Sequence, residues 1–171
     1  MPKRINRAIE LLEQGQPIYY TDAQEISYDA GREMAGTWAD YIRIETEHQA
    51  FDVHGIGEFM RGLVDGGPTR SGHRTPAVSV TIPTDGTSEA VIRANAWMIK
   101  QVLAQGVHGV ALPHAETPEA VKAFVESCRY SFQQLGVGQG LDSGRRGHKG
   151  QASASEVWGL PVQEYLKRAD V

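Results

Sequence analysis

Residues 77–112, AVSVTIPTDGTSEAVIRANAWMIKQVLAQGVHGVAL, decide the fold of this chain. The stretch begins with a short apolar run, 77–82, which predicts a strand that ends at a proline and a turn-like sequence. Residues 90–105 then place apolar side chains near one helical face, and Gly106 follows where a helix C-cap belongs. A second apolar run, 107–112, predicts the next strand. Strand, helix and strand in this order indicate two parallel strands joined by a right-handed crossover.

The same alternation extends to both sides of this unit. The remaining predicted elements are helices over 4–14, 28–36, 52–64 and 117–130, strands over 17–21 and 40–45, and short helices over 156–160 and 162–168. Strand and helix therefore repeat about four times, which fits either a doubly wound sheet or a (β/α) barrel. We interpret the glycine-rich segment 135–151 as a mobile or ligand-responsive loop within a single α/β domain, 1–171.

The composition is that of an ordinary globular protein and excludes several classes. The 171 residues carry a formal charge of −4, with 40% hydrophobic and 22% charged residues, which argues against a disordered or fibrous chain. The sequence has no basic block for nucleic acid, and no apolar run approaches the ~20 residues that a membrane span requires. A single cysteine, Cys128, forbids an internal disulfide. We therefore expect a cytoplasmic protein that binds neither nucleic acid nor membrane.

Chemistry is expected at the carboxyl ends of the strands, where ligands gather in both architectures. The polar residues at those ends are Asp22, Gln24, Glu45, Glu47, His48, Thr81, Thr84, His114 and Glu116. The densest group is Glu45-Thr-Glu-His48, in which an imidazole suited to proton transfer near neutral pH lies beside two carboxylates. A neighbouring acid can fix the tautomer of such a ring. The competing interpretation is a solvated turn that merely carries charge.

The other histidines and the basic residues give weaker predictions. His54 and His73 are expected at the surface, and His108 precedes the fourth strand at its amino end. No histidine pair has the spacing of H-E-x-x-H, and the glycine-rich loop contains no complete phosphate-binding motif. Arg145 and Arg146 could clamp an anion, which keeps a phosphate-binding α/β enzyme as a third hypothesis. A solvated basic loop is the simpler interpretation of that segment.

Several segments together resemble the HpcH/HpaI aldolase family. They are Glu45-Thr-Glu-His48 after the second strand, Leu112-Pro113 after the fourth, Glu116-Thr-Pro-Glu-Ala120, and Cys128-Arg-Tyr130 before the glycine-rich loop. The resemblance runs from about Pro17 to Gln151. It implies a (β/α)8 barrel of the TIM type and a class II, metal-dependent aldolase, related to citrate lyase β chains. Such an enzyme cleaves a 2-oxo acid to pyruvate, or a similar oxo acid, and an aldehyde, and the family assembles into oligomers, so a homo-oligomer is expected.

By position, the resemblance assigns His48 as the catalytic histidine, which acts as acid and base through a metal-bound water. Glu45 and Glu47 take the acidic positions beside it. Thr81 takes the place of the family's substrate-binding arginine. His114 is a second candidate for substrate binding, because it follows the fourth strand at its carboxyl end.

The implied cofactor is Mg²⁺ or Mn²⁺, whose expected ligands, a glutamate and an aspartate of later strands, lie beyond Val171. Ala104 occupies the position of the family's aspartate partner of the histidine. A complete barrel needs ~250 residues, so the chain corresponds to roughly its first half, and we expect an oligomer or part of a longer protein. The alternative function is a non-catalytic barrel fragment for binding or subunit assembly, without a complete metal site.

Overall fold

A computed structural model of the chain describes residues 4–169. Its helices are α1 (Arg7–Glu13), α2 (Tyr28–Met34), α3 (Val53–Asp65), α4 (Glu89–Ala104), α5 (Pro118–Cys128), α6 (Ala152–Trp158) and α7 (Val162–Arg168). Its strands are β1 (Tyr20–Asp22), β2 (Tyr41–Glu45), β3 (Ala77–Thr81) and β4 (Gly109–Ala111). The elements follow the predicted order, although α6 begins at Ala152 rather than at the predicted Glu156. Among residues 4–169, no helix combines the length and the apolar character needed to cross a bilayer.

The four strands form one parallel sheet in the order β1-β2-β3-β4. β2 and β3 pair over their full lengths, from Tyr41 opposite Ala77 to Glu45 opposite Thr81. A doubly wound sheet reverses its strand order at a switch point, whereas strands added successively in one direction form the wall of a (β/α) barrel. The sequential order therefore decides between the two predicted architectures in favour of the barrel.

The two faces of the sheet differ in character. The outer face carries side chains that are at most 1% exposed, namely Ile42, Ile44, Val78 and Val80. They pack against apolar side chains of α3 and α4, namely Ile56, Phe59, Met60, Leu63, Ile99 and Val102. Burial of each such side chain contributes roughly 1.5–3 kcal/mol relative to exposure, so this layer is the main stabilising core. Since side chains alternate between faces, Arg43, Glu45, Ser79 and Thr81 lie on the inner face.

Helices α2 and α3 cross closely because each has a glycine at the contact. A Cβ on Gly62 would fall against the backbone carbonyl oxygen of Tyr28, and a Cβ on Gly31 would fall against that of Phe59. The close contact fixes α3 against α2, and α3 begins shortly after the predicted site residues 45–48.

Helix α1 lies at the amino ends of the strands. Arg7 approaches Asp40, just before β2, at 3.9 Å, and a carboxylate oxygen of Glu10 lies 2.9 Å from Nε2 of His73. His73 is only 3% exposed, so the prediction that it lies at the surface is wrong. Burial lowers the pKa of His73, although the charge of Glu10 opposes this effect. The ring is buried because α1 folds back against the loop that precedes β3.

A buried carboxylate ties the glycine-rich segment 135–151 to the helices. The side chain of Glu126, on α5, is fully buried. It accepts three hydrogen bonds, from Arg93 at 2.8 Å, from Lys122 at 2.5 Å and from the backbone N–H of Asp142 at 2.9 Å. Glu126 therefore connects α4, α5 and the segment through a single charge.

Arg146, in the same segment, is also buried. It is 4% exposed, donates to Gln151 and to the hydroxyl of Tyr165, and lies 4.5 Å from the ring centroid of Tyr130. The interpretation of a solvated basic loop is therefore wrong for Arg146. Its guanidinium is engaged within the protein, which removes one of the two arginines that the phosphate-binding hypothesis requires.

Candidate functional site

The carboxyl ends of β2, β3 and β4 lie side by side along one edge of the sheet. We call this edge, formed by Glu45, Thr81, Ala111 and the loops that follow them, the mouth. The hydroxyl and the N–H of Thr46 both donate to the carbonyl of Thr81, at 2.6 and 3.1 Å. The chain that leaves β2 is thereby fixed to β3, so the next residue, Glu47, starts from a well-defined backbone.

Glu47 is the centre of the polar contacts at the mouth. Its Oε1 lies 2.8 Å from Nε2 of His114 and 3.5 Å from Nε2 of His48, so one carboxylate faces two imidazoles. The backbone N–H of Glu47 donates to Oε1 of Glu45 at 2.5 Å. The side chain of Glu47 is 18% exposed, whereas those of His48 and His114 are 77% and 64% exposed. The protein therefore holds the carboxylate, while both rings remain accessible to a ligand.

The loops after β3 and β4 are joined by backbone hydrogen bonds. The N–H of Gly86 donates to the carbonyl of Pro113, and the N–H of Glu116 donates to the carbonyl of Gly86, each at 2.9 Å. Gly86 permits this approach, since a Cβ there would lie 2.8 Å from Cα of Ala115. Between the two bonds, His114 has a φ of 46°, a left-handed conformation that non-glycine residues rarely adopt. The loops thus present the imidazole of His114 at the mouth at a cost in backbone strain.

Asp85 joins Glu47 and His114 in a cluster of potential metal ligands. One ligand atom from each residue lies within 4.8 Å of the other two. Two carboxylates and one imidazole are donors that suit a divalent cation. Asp85 was not among the predicted site residues because Thr84-Asp85-Gly86 is typical of a turn. Thr84 was selected because it follows the end of β3. The same reason applies to Asp85, which is the next residue.

Most of the predicted site residues meet at the mouth. Glu45, Glu47, His48 and His114 are linked by the contacts described above. Thr81 lies at the same edge in register with Glu45, but its hydroxyl makes no hydrogen bond with another residue of the described range 4–169. The predicted roles of these residues in catalysis and substrate binding stay predictions.

The histidines that the sequence analysis set aside lie away from the mouth. The side chain of His54, on α3, is 87% exposed, as predicted. His108 lies at the amino end of β4, where its Nδ1 accepts a hydrogen bond from the N–H of Val78 at 3.1 Å and its ring stacks on Trp158. Burial lowers the pKa of His108 to about 4, which keeps this ring neutral near pH 7. Its position and charge state both indicate a structural residue.

The inner face of the sheet carries an ion pair that the sequence analysis did not recognise. Arg43 donates through Nε and Nη2 to the carboxylate of Asp22, at 2.6 and 3.2 Å. The hydrogen bonds to Asp22 raise the pKa of Arg43 above its usual value. The available signal was the alternation of Arg43 with the apolar residues Ile42 and Ile44, which places it on the opposite face. Because the charges of Arg43 and Asp22 cancel, the pair adds no net charge to the inner face.

Comparisons with known proteins show what the chain is similar to. No protein-family model matches it. Over 139 residues the chain is 25% identical to a hydroxypyruvate/pyruvate aldolase of Roseobacter denitrificans. The match covers 81% of this chain and 48% of that protein. An HpcH/HpaI aldolase/citrate lyase family protein from Burkholderia cenocepacia superposes with a TM-score of 0.64 at 21% identity, covering 90% of this chain and 51% of that one. An HpcH/HpaI aldolase from Desulfitobacterium hafniense superposes with a TM-score of 0.63 at 19% identity, and the match covers 93% of this chain and 51% of that one.

The chain spans about half the length of these relatives. The resemblance to HpcH/HpaI aldolases that the sequence predicts is confirmed by these matches. The predicted fold is confirmed as well, since the four-stranded parallel sheet superposes on about half of each solved chain. At 21% and 19% identity, the solved structures establish the fold.

Proposed function

We propose that this chain forms the first half of a class II aldolase of the HpcH/HpaI type. Its reaction would be the cleavage of a 2-oxo acid of the 2-keto-3-deoxy kind to pyruvate, or a similar oxo acid, and an aldehyde. One observation supports this most strongly: at the mouth, the carboxylate of Glu47 lies between the imidazoles of His48 and His114. Substrates of barrel enzymes bind at this edge. The curated relative is itself named an aldolase.

His48 is the proposed carrier of the proton. Its ring would accept the proton of the C4 hydroxyl as the C3–C4 bond breaks, which releases the aldehyde and leaves the electron pair on the enolate of the oxo acid. Return of a proton to C3 then gives pyruvate and restores the ring. Glu47 would position the ring through their 3.5 Å contact, and Glu45 would position Glu47 through its bond to the backbone N–H.

A divalent metal, Mg²⁺ or Mn²⁺, would supply polarisation of the oxo-acid carbonyl when bound. The resemblance assigns its ligands to strands beyond Val171, and the carboxylate and imidazole donors at the mouth are compatible with such an ion. Thr81 and His114 are the proposed substrate contacts, one through a neutral hydroxyl on the inner face and the other through an exposed ring. Hydroxypyruvate and pyruvate, named in the curated relative, are the first oxo acids to test.

Pyruvate release tests this function. A full-length protein that carries this chain as the first half of its barrel is incubated with a 2-keto-3-deoxy acid and Mg²⁺ or Mn²⁺, and pyruvate is measured through a coupled dehydrogenase. We expect His48→Ala to lower kcat by about 10²–10⁴-fold, the range for loss of a general acid–base. His54→Ala removes a similarly exposed histidine from α3 and should retain the wild-type rate. A His48→Ala protein as fast as wild type would show that this ring does not move the proton.

The second candidate function is a non-catalytic part of a barrel that serves binding or subunit assembly. The open sheet favours it, because β1 and β4 each have one edge without a strand partner among residues 4–169. Such edges pair readily with strands of another chain, so we also propose a homo-oligomer, whose mass light scattering would give. Calorimetry with Mg²⁺ and pyruvate separates the two functions, since the non-catalytic part gives no heat of binding. The single cysteine supports our proposal of a cytoplasmic location.

A further inference from the structure

A small cavity lies at the amino ends of the strands, at the opposite end of the sheet from the mouth. Its volume is about 90 Å³, which is enough for several waters or for one tetrahedral anion. The polar side chains that line it are Arg4, Asn6, His108 and Arg168, and the ring of Trp158 forms an apolar wall. Among residues 4–169, no aspartate or glutamate lines this cavity. Its wall therefore contains two arginines and no carboxylate.

The imidazole of His108 offers this cavity a hydrogen-bond donor. Its Nδ1 accepts the bond from the N–H of Val78, so the single hydrogen of the neutral ring lies on Nε2. The lowered pKa of His108 keeps the ring in this neutral form. Nε2 has no hydrogen-bond partner among residues 4–169. The ring plane is fixed by stacking on Trp158, at an angle of 7°, so the donor is held in place before a ligand binds.

The side chain of Asn6 is oriented in a similar way. Its oxygen accepts hydrogen bonds from the N–H groups of Ala8, at 2.9 Å, and Ile9, at 3.3 Å, which makes Asn6 the N-cap of α1. The oxygen is therefore used within the protein. The amide NH₂ group, which carries two donor hydrogens, has no partner in the described part of the chain. Asn6 and His108 thus both use their acceptor atoms internally and leave only donors for the cavity.

The two arginines bring positive charge to the cavity from distant parts of the chain. Arg4 precedes α1, and Arg168 is the last residue of α7. Arg4 donates through Nε and Nη2 to Glu13, and Arg168 donates through Nε to Glu164 at 2.7 Å. Within residues 4–169, these bonds leave Nη1 of Arg4 and both terminal nitrogens of Arg168 without a partner. Because a guanidinium has five N–H donors, each arginine can also bind a second anion.

We propose that this cavity binds a phosphate group, either as the free ion or as the monoester of a small molecule. Every unengaged polar side-chain group in its wall is a donor and two of the side chains are cationic, so the matching ligand is an anion that only accepts hydrogen bonds. A phosphate group has three strong acceptor oxygens and a charge of about −1.5 to −2 at neutral pH. A carboxylate has only two oxygens, in one plane, and matches donors from α1, β4 and α7 less well. Phosphate binding here is independent of the aldolase reaction proposed above.

NMR of the histidine rings in a ¹⁵N-labelled, full-length protein that carries this chain tests the site. Titration with inorganic phosphate at constant neutral pH should shift the Nε2–H resonance of His108 in a saturable way. The ring of His54, which is exposed on α3, is the control and should not respond. The same titration with glycerol phosphate shows whether a monoester binds more tightly than the free ion. A His108 resonance that responds to neither would overturn the site, and an equal response to acetate would overturn the assignment to phosphate.

Asn6→Asp separates folding from binding. Aspartate caps a helix as well as asparagine does, so the melting temperature without phosphate should be kept. The new carboxylate replaces a donor and repels the anion, so the Kd for phosphate should rise about tenfold or more. Arg168→Gln should also raise the Kd, whereas the control Lys167→Gln removes a neighbouring, 75% exposed cation and should change it less than about twofold. Phosphate binding by Asn6→Asp as tight as by wild type would overturn the proposed site. Because these titrations contain no oxo acid, their results are independent of the pyruvate assay.

Discussion

The buried carboxylate of Glu126 should make the stability of the protein depend on pH. Burial alone raises the pKa of Glu126, but hydrogen bonds from Lys122, Arg93 and the N–H of Asp142 outweigh it and lower the pKa from 4.5 to about 2. This difference between the unfolded and folded states is worth about 3 kcal/mol at neutral pH. Since the folded-state pKa is the lower one, the stabilisation is complete above about pH 4.5 and is lost as the pH falls through about 2.

Glu126→Gln removes this charge and leaves Arg93 and Lys122 without their shared carboxylate. We expect the free energy of unfolding to fall by about 3 kcal/mol at pH 7 and by less than half of that at pH 3. Urea denaturation at the two pH values measures both differences. Glu119→Gln, an exposed residue in the first turn of the same helix, is the control and should change stability by less than about 1 kcal/mol at either pH. Equal losses at both pH values, or a loss below about 1 kcal/mol at pH 7, would refute the reasoning.

Two further predictions concern the core and the amino ends of the strands. Gly62→Ala should lower the free energy of unfolding by about 1–3 kcal/mol in thermal unfolding, because the new Cβ meets the backbone of Tyr28. The control is Gly57→Ala, whose Cβ meets only the flexible side chain of Gln105. This control should be neutral or stabilising. The ring of His108 should titrate by NMR with a midpoint near 4, and a midpoint near 6.5 would contradict the lowered pKa. Because folding lowers this pKa, the contribution of neutral His108 to the free energy of unfolding is fully present above about pH 6.5. It is lost as the pH falls towards 4.

The order of elements was predictable because the local sequence specifies it. Helix α5 shows this well, since the hydroxyl of Thr117 accepts a hydrogen bond from the N–H of Ala120 at 3.2 Å and Pro118 follows at the first helical position. The start of α6 was missed for the opposite reason. Gln151 makes no side-chain capping bond there, and the residues from Ala152 onwards lack a clear apolar periodicity.

The site was predictable where a functional residue directly follows a strand. Glu47 and His48 follow β2 in this way, and the parallel sheet brings them to the same edge as the residues after β4. Contacts between distant segments were not predictable in this way. Asp85 has the local sequence of a turn, and the buried ring of His73 lies 2.9 Å from a carboxylate oxygen of Glu10, which is distant in sequence on α1. Such residues take their environment from tertiary packing, which a local pattern does not specify.

The rate of C3–C4 bond cleavage in a single turnover tests the proton-transfer role of the mouth most directly, since product release does not enter it. With a 2-keto-3-deoxy acid and saturating Mg²⁺ or Mn²⁺, wild type should cleave the bond, and His48→Ala should be at least about 100-fold slower. Glu47→Gln should also be slower, because the ring loses the carboxylate that lies 3.5 Å from it. Cleavage at the wild-type rate by both variants would contradict the account.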